Sequence, residues 1–272
     1  MRAHKERAHE FFVKYLINFV RVLIDIMTMF NIVNMFNIMN MYCFFRKIVK
    51  TIKSEAAIKN VKRQKLTYLT EKKLKALANA LIEIELKDIE GMIIEAGCAL
   101  GGSSILISSI KNKNRLFNIY DVFEMIPPPS DKDDDDVHER YKIILSGESK
   151  GIDGDNYYGY MINLYHKVIN NFEVNGIELE KNNIFLVKGL VQDTLYPNSL
   201  IALAHIDVDW YEPVMTCLVR IEPQLSVGGY LVLDDYQDWS GCRKAVDDFF
   251  ADKKDRFEFN TSPGSLVVKK IK

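Results

Sequence analysis

Two stretches in the last third of the chain constrain it more than any others. Residues 203–211 read Leu-Ala-His-Ile-Asp-Val-Asp-Trp-Tyr, and residues 228–236 read Gly-Gly-Tyr-Leu-Val-Leu-Asp-Asp-Tyr. Each is an apolar strand that ends in acid, Asp207 and Asp209 after the first, Asp234 and Asp235 after the second, with a helical segment between them. A strand–helix–strand unit in a parallel sheet brings both strand ends to one edge. Open α/β sheets hold their ligands at that edge. Four carboxylates crowded there repel one another, a cost that a cation or a proton relay offsets. Hard oxygen donors of this kind favour Mg²⁺ over zinc or copper. A single aspartate after a strand is an ordinary helix N-cap; two pairs on consecutive strands point to a site.

A glycine loop lies upstream. Residues 92–107 read Met-Ile-Ile-Glu-Ala-Gly-Cys-Ala-Leu-Gly-Gly-Ser-Ser-Ile-Leu-Ile. An apolar strand ends at Glu95, a loop with Gly97 and Gly101 follows, and Ser103 or Ser104 opens a helix. The loop is one residue longer than the dinucleotide fingerprint G-x-G-x-x-G and lacks the lysine of a phosphate-binding P-loop. Its glycines let the backbone approach a ligand closely. An acid at the strand end opposes a pyrophosphate but suits an ammonium or sulfonium group, which points to S-adenosylmethionine and away from NAD or ATP. The next strand, Leu116 to Tyr120, ends in Asp121, where an acidic side chain takes the two ribose hydroxyls in nucleoside-binding α/β folds.

The rest of the chain fits one α/β layer structure. A helix is expected from Thr70, its cap, to Leu86, with Leu74, Leu77, Leu81 and Ile84 at helical spacing. Tyr68, just before it, is within reach of a cofactor, although a lone tyrosine is usually packing. Further strands are expected at Ile184–Val187, Ile201–Ile206 and Tyr230–Leu233, and helices at Tyr158–Phe172 and from Cys242 to Phe250. A closing pair of strands flanks Pro263-Gly264. The sum is a seven-stranded, mostly parallel sheet with a C-terminal antiparallel hairpin. Residues 122–160 are polar and irregular, with Pro127-Pro-Pro and the acid run Asp133–Asp136; a loop this long in a compact domain reads as a lid. The acid run lacks the glycine and terminal glutamate of an EF-hand and reads as solvated charge. His138 and Arg140 are the side chains of interest in this insertion.

A chain of 272 residues can bury one substantial core. Its net charge of −1 asks for no nucleic acid as partner. Its four cysteines are scattered and read as reduced thiols of a cytoplasmic protein. Residues 1–63 are a different kind of sequence, read as a helical or poorly ordered extension to a catalytic domain at 64–272. From Ile26 to Phe45 no residue is charged, and Arg46, Lys47, Lys50 and Lys53 follow. That length and basic flank fit a membrane span, whereas Asn31, Asn34, Asn37 and Asn40 are costly in lipid. An amphipathic helix lying on a membrane surface or a partner through residues 11–46 satisfies both patterns.

Taken together, Leu66-Thr-Tyr-Leu-Thr, Glu95-Ala-Gly-Cys-Ala-Leu-Gly-Gly-Ser-Ser, Pro127-Pro-Pro, Asp193-Thr-Leu, His205-Ile-Asp-Val-Asp-Trp-Tyr and Gly228-Gly-Tyr-Leu-Val-Leu-Asp-Asp-Tyr with Gly241-Cys-Arg resemble the class I methyltransferases. Among them the chain is most similar to the macrocin-type sugar O-methyltransferases, from about Lys65 to the C-terminus. The resemblance implies a Rossmann-like fold and S-adenosylmethionine as donor, with Tyr68, Glu95, Gly97, Gly101, Ser103, Asp121 and Gln192 around it. It implies Mg²⁺ on Asp207, Asp234 and Asp235, Asp209 as general base, and a hydroxyl on a sugar-bearing small molecule as acceptor. Family members usually carry glycine between the two aspartates of the fourth strand; this chain has Val208, whose branched side chain restricts the backbone. A homo-oligomer is expected. The competing readings are a catechol or phenol O-methyltransferase on the same metal site, and a non-catalytic S-adenosylmethionine-binding protein.

Overall fold

The computed structural model describes Val22 and residues 35–272, with side chains from Asn40 onward. The chain divides into two units, 1–53 and 54–272, and the fold that carries the acidic strands is that of the second. The segment expected at a membrane surface, 11–46, lies mostly outside the described residues. Among the described residues no helix is long and apolar enough to cross a membrane.

Apolar five- and six-residue runs become the strands of the sheet's centre: β1 (Met92–Ala96), β2 (Phe117–Asp121), β3 (Ile184–Lys188) and β4 (Ile201–Ile206). β5 (Leu225–Leu233) follows, and β6 (Phe257–Asn260) and β7 (Leu266–Lys270) close the sheet. Their order is β3-β2-β1-β4-β5-β7-β6. The first five run parallel, and β7 is antiparallel to both β5 and β6. The expected hairpin and the mostly parallel sheet are both present. The strand order reverses between β1 and β4, so the crevice outside their carboxyl ends is the topological switch point where such sheets bind ligands.

Strand residues alternate between two helix layers. On one face, Ile93, Leu203 and Val232 pack with the end of α1 (Met35–Arg63), α2 (Glu71–Leu86), α3 (Gly102–Ile110) and α5 (Leu164–Val174). On the other, Ile94, Ala204 and Leu231 pack with α6 (Val191–Thr194), α7 (Tyr211–Ile221) and α8 (Ser240–Phe250). Thr70 caps α2 as its sequence suggests, its side chain accepting from the Lys73 amide.

The structure differs from expectation at the insertion. Its acid run opens a helix, α4 (Asp135–Leu145), because acids in a first turn complement the helix dipole. Asp133 is buried: its Oδ2 accepts from the Ser130 amide and hydroxyl, and its Oδ1 from the Tyr211 amide at 2.8 Å. The helix expected from Tyr158 is a single 3-10 turn there, and α5 begins only at Leu164.

Candidate active site

Both acid pairs arrive at the carboxyl ends of β4 and β5. Ile206 pairs with Leu233, so Asp207 and Asp234 leave the sheet side by side. Asp207, Asp234 and Asp235 each offer a carboxylate oxygen within 4.8 Å of the others. Asp209 sits beside them, its amide donating to Asp235 Oδ2 at 3.1 Å. All four line one cavity of about 490 Å³.

Crowding shows in the acidities. Burial, and then the Asp234 charge, push the Asp207 carboxyl well above the usual carboxylate range. Burial, and then Asp209, do the same to Asp235. The Asp209 carboxyl is raised to about 7 by burial and by Asp234, with Arg140 and Trp239 pulling it back. Such a cluster favours a proton or a cation. Lys73 supplies part of that charge: its Nζ is 2.9 Å from Asp234 Oδ2 and 2.6 Å from Asp238 Oδ2. Desolvation works against the ammonium, yet the Asp234 and Asp238 carboxylates outweigh it and raise its pKa. The other Asp234 oxygen accepts from Ser265 at 2.9 Å.

The Asp209 backbone is left-handed, at φ +55°. A non-glycine residue there is strained, and such strain gathers at functional sites. Val208 is not among the residues with positive φ, so the turn that re-aims the chain toward the cavity falls on the aspartate. The valine meets no left-handed requirement.

The glycine loop passes beneath β4. Gly97 has φ +82°, and a Cβ added there would collide with the Asp207 carbonyl oxygen. Its amide donates to Tyr120 O, while the Asp207 amide donates to Ala96 O, both at 2.8 Å. Gly97, Tyr68, Ser103 and Asp121 all line the large cavity. Asp121 Oδ2 accepts from the Cys98 and Ala99 amides at 2.7 and 3.2 Å, and Oδ1 from the Phe123 amide at 2.6 Å. Burial raises its carboxyl, and these backbone donors hold the rise back. Asp121 and Gly97 also line an adjoining cavity of about 290 Å³, together with Gln192 and Pro127 to Pro129. Gln192 Oε1 is buried there without a hydrogen-bond partner, an acceptor left for a ligand's N–H.

Two expected donor-binding residues lie elsewhere. Glu95 is fully buried and absent from both cavity walls. Its Oε1 is 2.8 Å from His205 Nδ1, and its Oε2 accepts from Ser104 Oγ. Glu95 follows Ile93 by two residues, so it faces the α2/α3 layer and not the crevice. Gly101 is also off the cavity wall. Its φ of +84° starts α3 against Val168 and Phe172, a structural use of glycine.

Several site residues escaped the sequence reading. Lys73 is buried; the signal was its position one turn before Leu77 on the apolar face of α2. Trp210 Nε1 donates to Pro127 O at 3.0 Å, tying the insertion to the tip of β4. Trp239 packs edge-on to it, with ring centroids 5.9 Å apart. Tyr157 and Tyr158 complete the cavity wall. Gly241 has its own reason: an added Cβ would strike Asp133 Oδ1, the atom that holds the α7 amide. Gly241→Ala is expected to cost about 1–3 kcal/mol, the usual overpacking penalty. Denaturant unfolding, with limited proteolysis of residues 122–160, checks it.

Similarity to known proteins agrees with this geometry. Over 199 residues the chain is 25% identical to demethyldecarbamoylnovobiocin O-methyltransferase of Streptomyces niveus, covering 68% of each chain. Over 175 residues it is 29% identical to an 8-demethyl-8-(2,3-dimethoxy-alpha-L-rhamnosyl)-tetracenomycin-C 4'-O-methyltransferase of Streptomyces olivaceus, covering 62% of this chain and 61% of that one. The fold is that of the O-methyltransferase NovP, with a TM-score of 0.62 and 23% identity over 76% of this chain and 82% of that one. Residues 46–259 match the family model described as Macrocin-O-methyltransferase (TylF). That span includes the glycine loop and all four clustered aspartates, and the chain belongs to this family of O-methyltransferases.

Proposed function

We propose that the protein transfers the methyl group of S-adenosylmethionine to a hydroxyl of a sugar or glycosylated small molecule, with Mg²⁺ at Asp207, Asp234 and Asp235 and Asp209 as general base. One observation carries the reading: three carboxylates gathered within 4.8 Å share a cavity wall with a fourth whose pKa is raised to about 7. A base tuned near the working pH receives a proton most effectively.

The residues fit the donor. Gly97 presents bare backbone to the cavity, at a positive φ and so close to the Asp207 carbonyl that no side chain is admitted. Asp121 lines the cavity at the end of β2, held in place by three backbone donors, the position at which an acid meets ribose hydroxyls in such folds. The orphaned Gln192 Oε1 suits the exocyclic amine of an adenine. The acids fit a divalent ion as a hard oxygen set, with Lys73 beside Asp234 carrying part of the balancing charge.

S-adenosylmethionine supplies an electrophilic methyl on sulfonium, and a divalent ion supplies Lewis acidity that eases proton loss from the acceptor hydroxyl. The protein's share is positioning. Tyr68, Tyr157, Trp210 and Trp239 enclose the cavity and limit water around the reacting atoms. Asp209 takes the hydroxyl proton on its carboxylate as the acceptor oxygen attacks. The rhamnosyl acceptor in the name of the second relative supports a sugar here.

The test is to supply radiolabelled donor with panels of glycosides and phenols, with and without Mg²⁺. Label is expected in glycosides, and only with the metal. Label in phenols alone would overturn the sugar reading, and label undiminished by chelation would remove the metal.

A further inference from the structure

Two cations line the large cavity. Lys73 is held by Asp234 and Asp238. The other is Arg140, in the penultimate turn of α4, and it has no carboxylate partner among the described residues. Its Nη2 donates to Ser149 Oγ at 2.9 Å, and its guanidinium lies 5.8 Å from the centre of the Tyr157 ring. The anchor is itself fixed: Ser149 is buried, its amide donates to Tyr160 Oη at 3.2 Å, and that hydroxyl donates to Ile144 O at 2.6 Å. A guanidinium carries five donors, of which one hydrogen bond to the protein is described. The rest form a half-buried, pre-positioned fork at a cavity wall. The Asp209 carboxylate acts on this charge through space, but among the described residues no carboxylate is in ion-pair contact with it, and the fork geometry matches phosphate or carboxylate oxygens.

We propose that Arg140 binds an anionic group on the acceptor, so that the substrate is a charged sugar and not a neutral glycoside. This rests on the sugar O-methyltransferase reading above. The aspartates at the strand tips repel an anion, so the charged group of such an acceptor is directed to the Arg140 wall while its hydroxyl faces Asp209. The anion is either the phosphate of a sugar still joined to a nucleoside diphosphate or a carboxylate on the sugar itself.

Calorimetry on the S-adenosylhomocysteine-loaded protein distinguishes these sources, with a neutral methyl glycoside, the matching nucleoside diphosphate sugar and the matching uronic acid as ligands. Methyl transfer is read on the same three. The wild type is expected to bind one anionic ligand about 10–100-fold more tightly than the neutral one, the worth of a charge-assisted hydrogen bond. Arg140→Gln removes that preference and leaves S-adenosylhomocysteine affinity unchanged; Arg140→Lys, which keeps the charge but loses the fork, retains part of it. Equal binding of neutral and anionic ligands by the wild type overturns the proposal, as does a preference that survives in Arg140→Gln. Weakened S-adenosylhomocysteine binding in that variant overturns it too, by assigning the arginine to the donor's carboxylate. Methyl transfer to neutral glycosides with no anion preference leaves the sugar reading intact and removes only Arg140. Arg140-dependent anion binding without transfer to any sugar does the reverse.

Discussion

Asp209→Asn lowers turnover by about 10²–10⁴-fold, the contribution of a positioned general base, while S-adenosylmethionine affinity stays as in the wild type. Asparagine keeps the shape and accepts left-handed φ readily, so the +55° backbone at this position is preserved. On the proposed reading, what is lost is the acceptor for the hydroxyl proton. The direction of the Asp209 shift adds a second signature. Burial raises its pKa to about 7, so the active carboxylate form is lost as pH falls through that value. In the wild type kcat/KM rises through pH 7 to a plateau, falling roughly tenfold per unit below it. On the proposed metal reading, Mg²⁺ moves the rising limb to lower pH by favouring the anionic form. The asparagine variant has no such limb. Steady-state kinetics across pH 5–9 at fixed ionic strength measures both; turnover in the variant within a factor of two of wild type would remove Asp209 from the mechanism.

Lys73→Met destabilises the protein by about 3–5 kcal/mol at pH 7, the cost of removing one partner of a buried ion pair. The side chains of Lys73 and Asp234 are 10% and 8% exposed, and the ammonium also reaches the Asp234 carbonyl oxygen at 3.1 Å. Methionine fills a similar volume, so the loss is electrostatic and not a cavity. Ser265 alone then remains to satisfy Asp234. On the proposed metal reading, Mg²⁺ restores part of the stability by replacing the missing charge, and the variant binds the ion more tightly than the wild type. Urea unfolding in chelator and in excess Mg²⁺ separates the two effects. A loss below about 1 kcal/mol would place the pair in the class of solvent-screened bridges, and a variant indifferent to Mg²⁺ would argue against the metal triad.

Much of the architecture was legible because its signals are local. Apolar runs of five or six residues with acids at their ends can be read without knowing their neighbours, and β4 begins and ends where the residues suggest. Thr70 announces its helix in the same way. Gly97 was legible as a close approach, although the object approached, the Asp207 carbonyl, was not. The misplacements share one cause. Glu95 was read as facing a ligand because it ends a strand, but its side chain is committed to His205, 110 residues away. In the acid run, Asp134 to Asp136 are exposed as their composition suggests; Asp133 alone is buried, because no sequence window contains Tyr211, whose amide donates to it.

From the residues alone came the alternation of strands and helices, the glycine loop and the two acid pairs, since hydrophobic periodicity and turn chemistry act over a few positions. Tertiary structure decided which charges meet. Sheet register sets Asp207 beside Asp234, the packing of α2 delivers Lys73 to them, and α4 carries Arg140 to the same cavity. Coulombic and hydrogen-bond energies depend on distances of a few ångströms between groups far apart in the chain, and only the closed fold sets those distances.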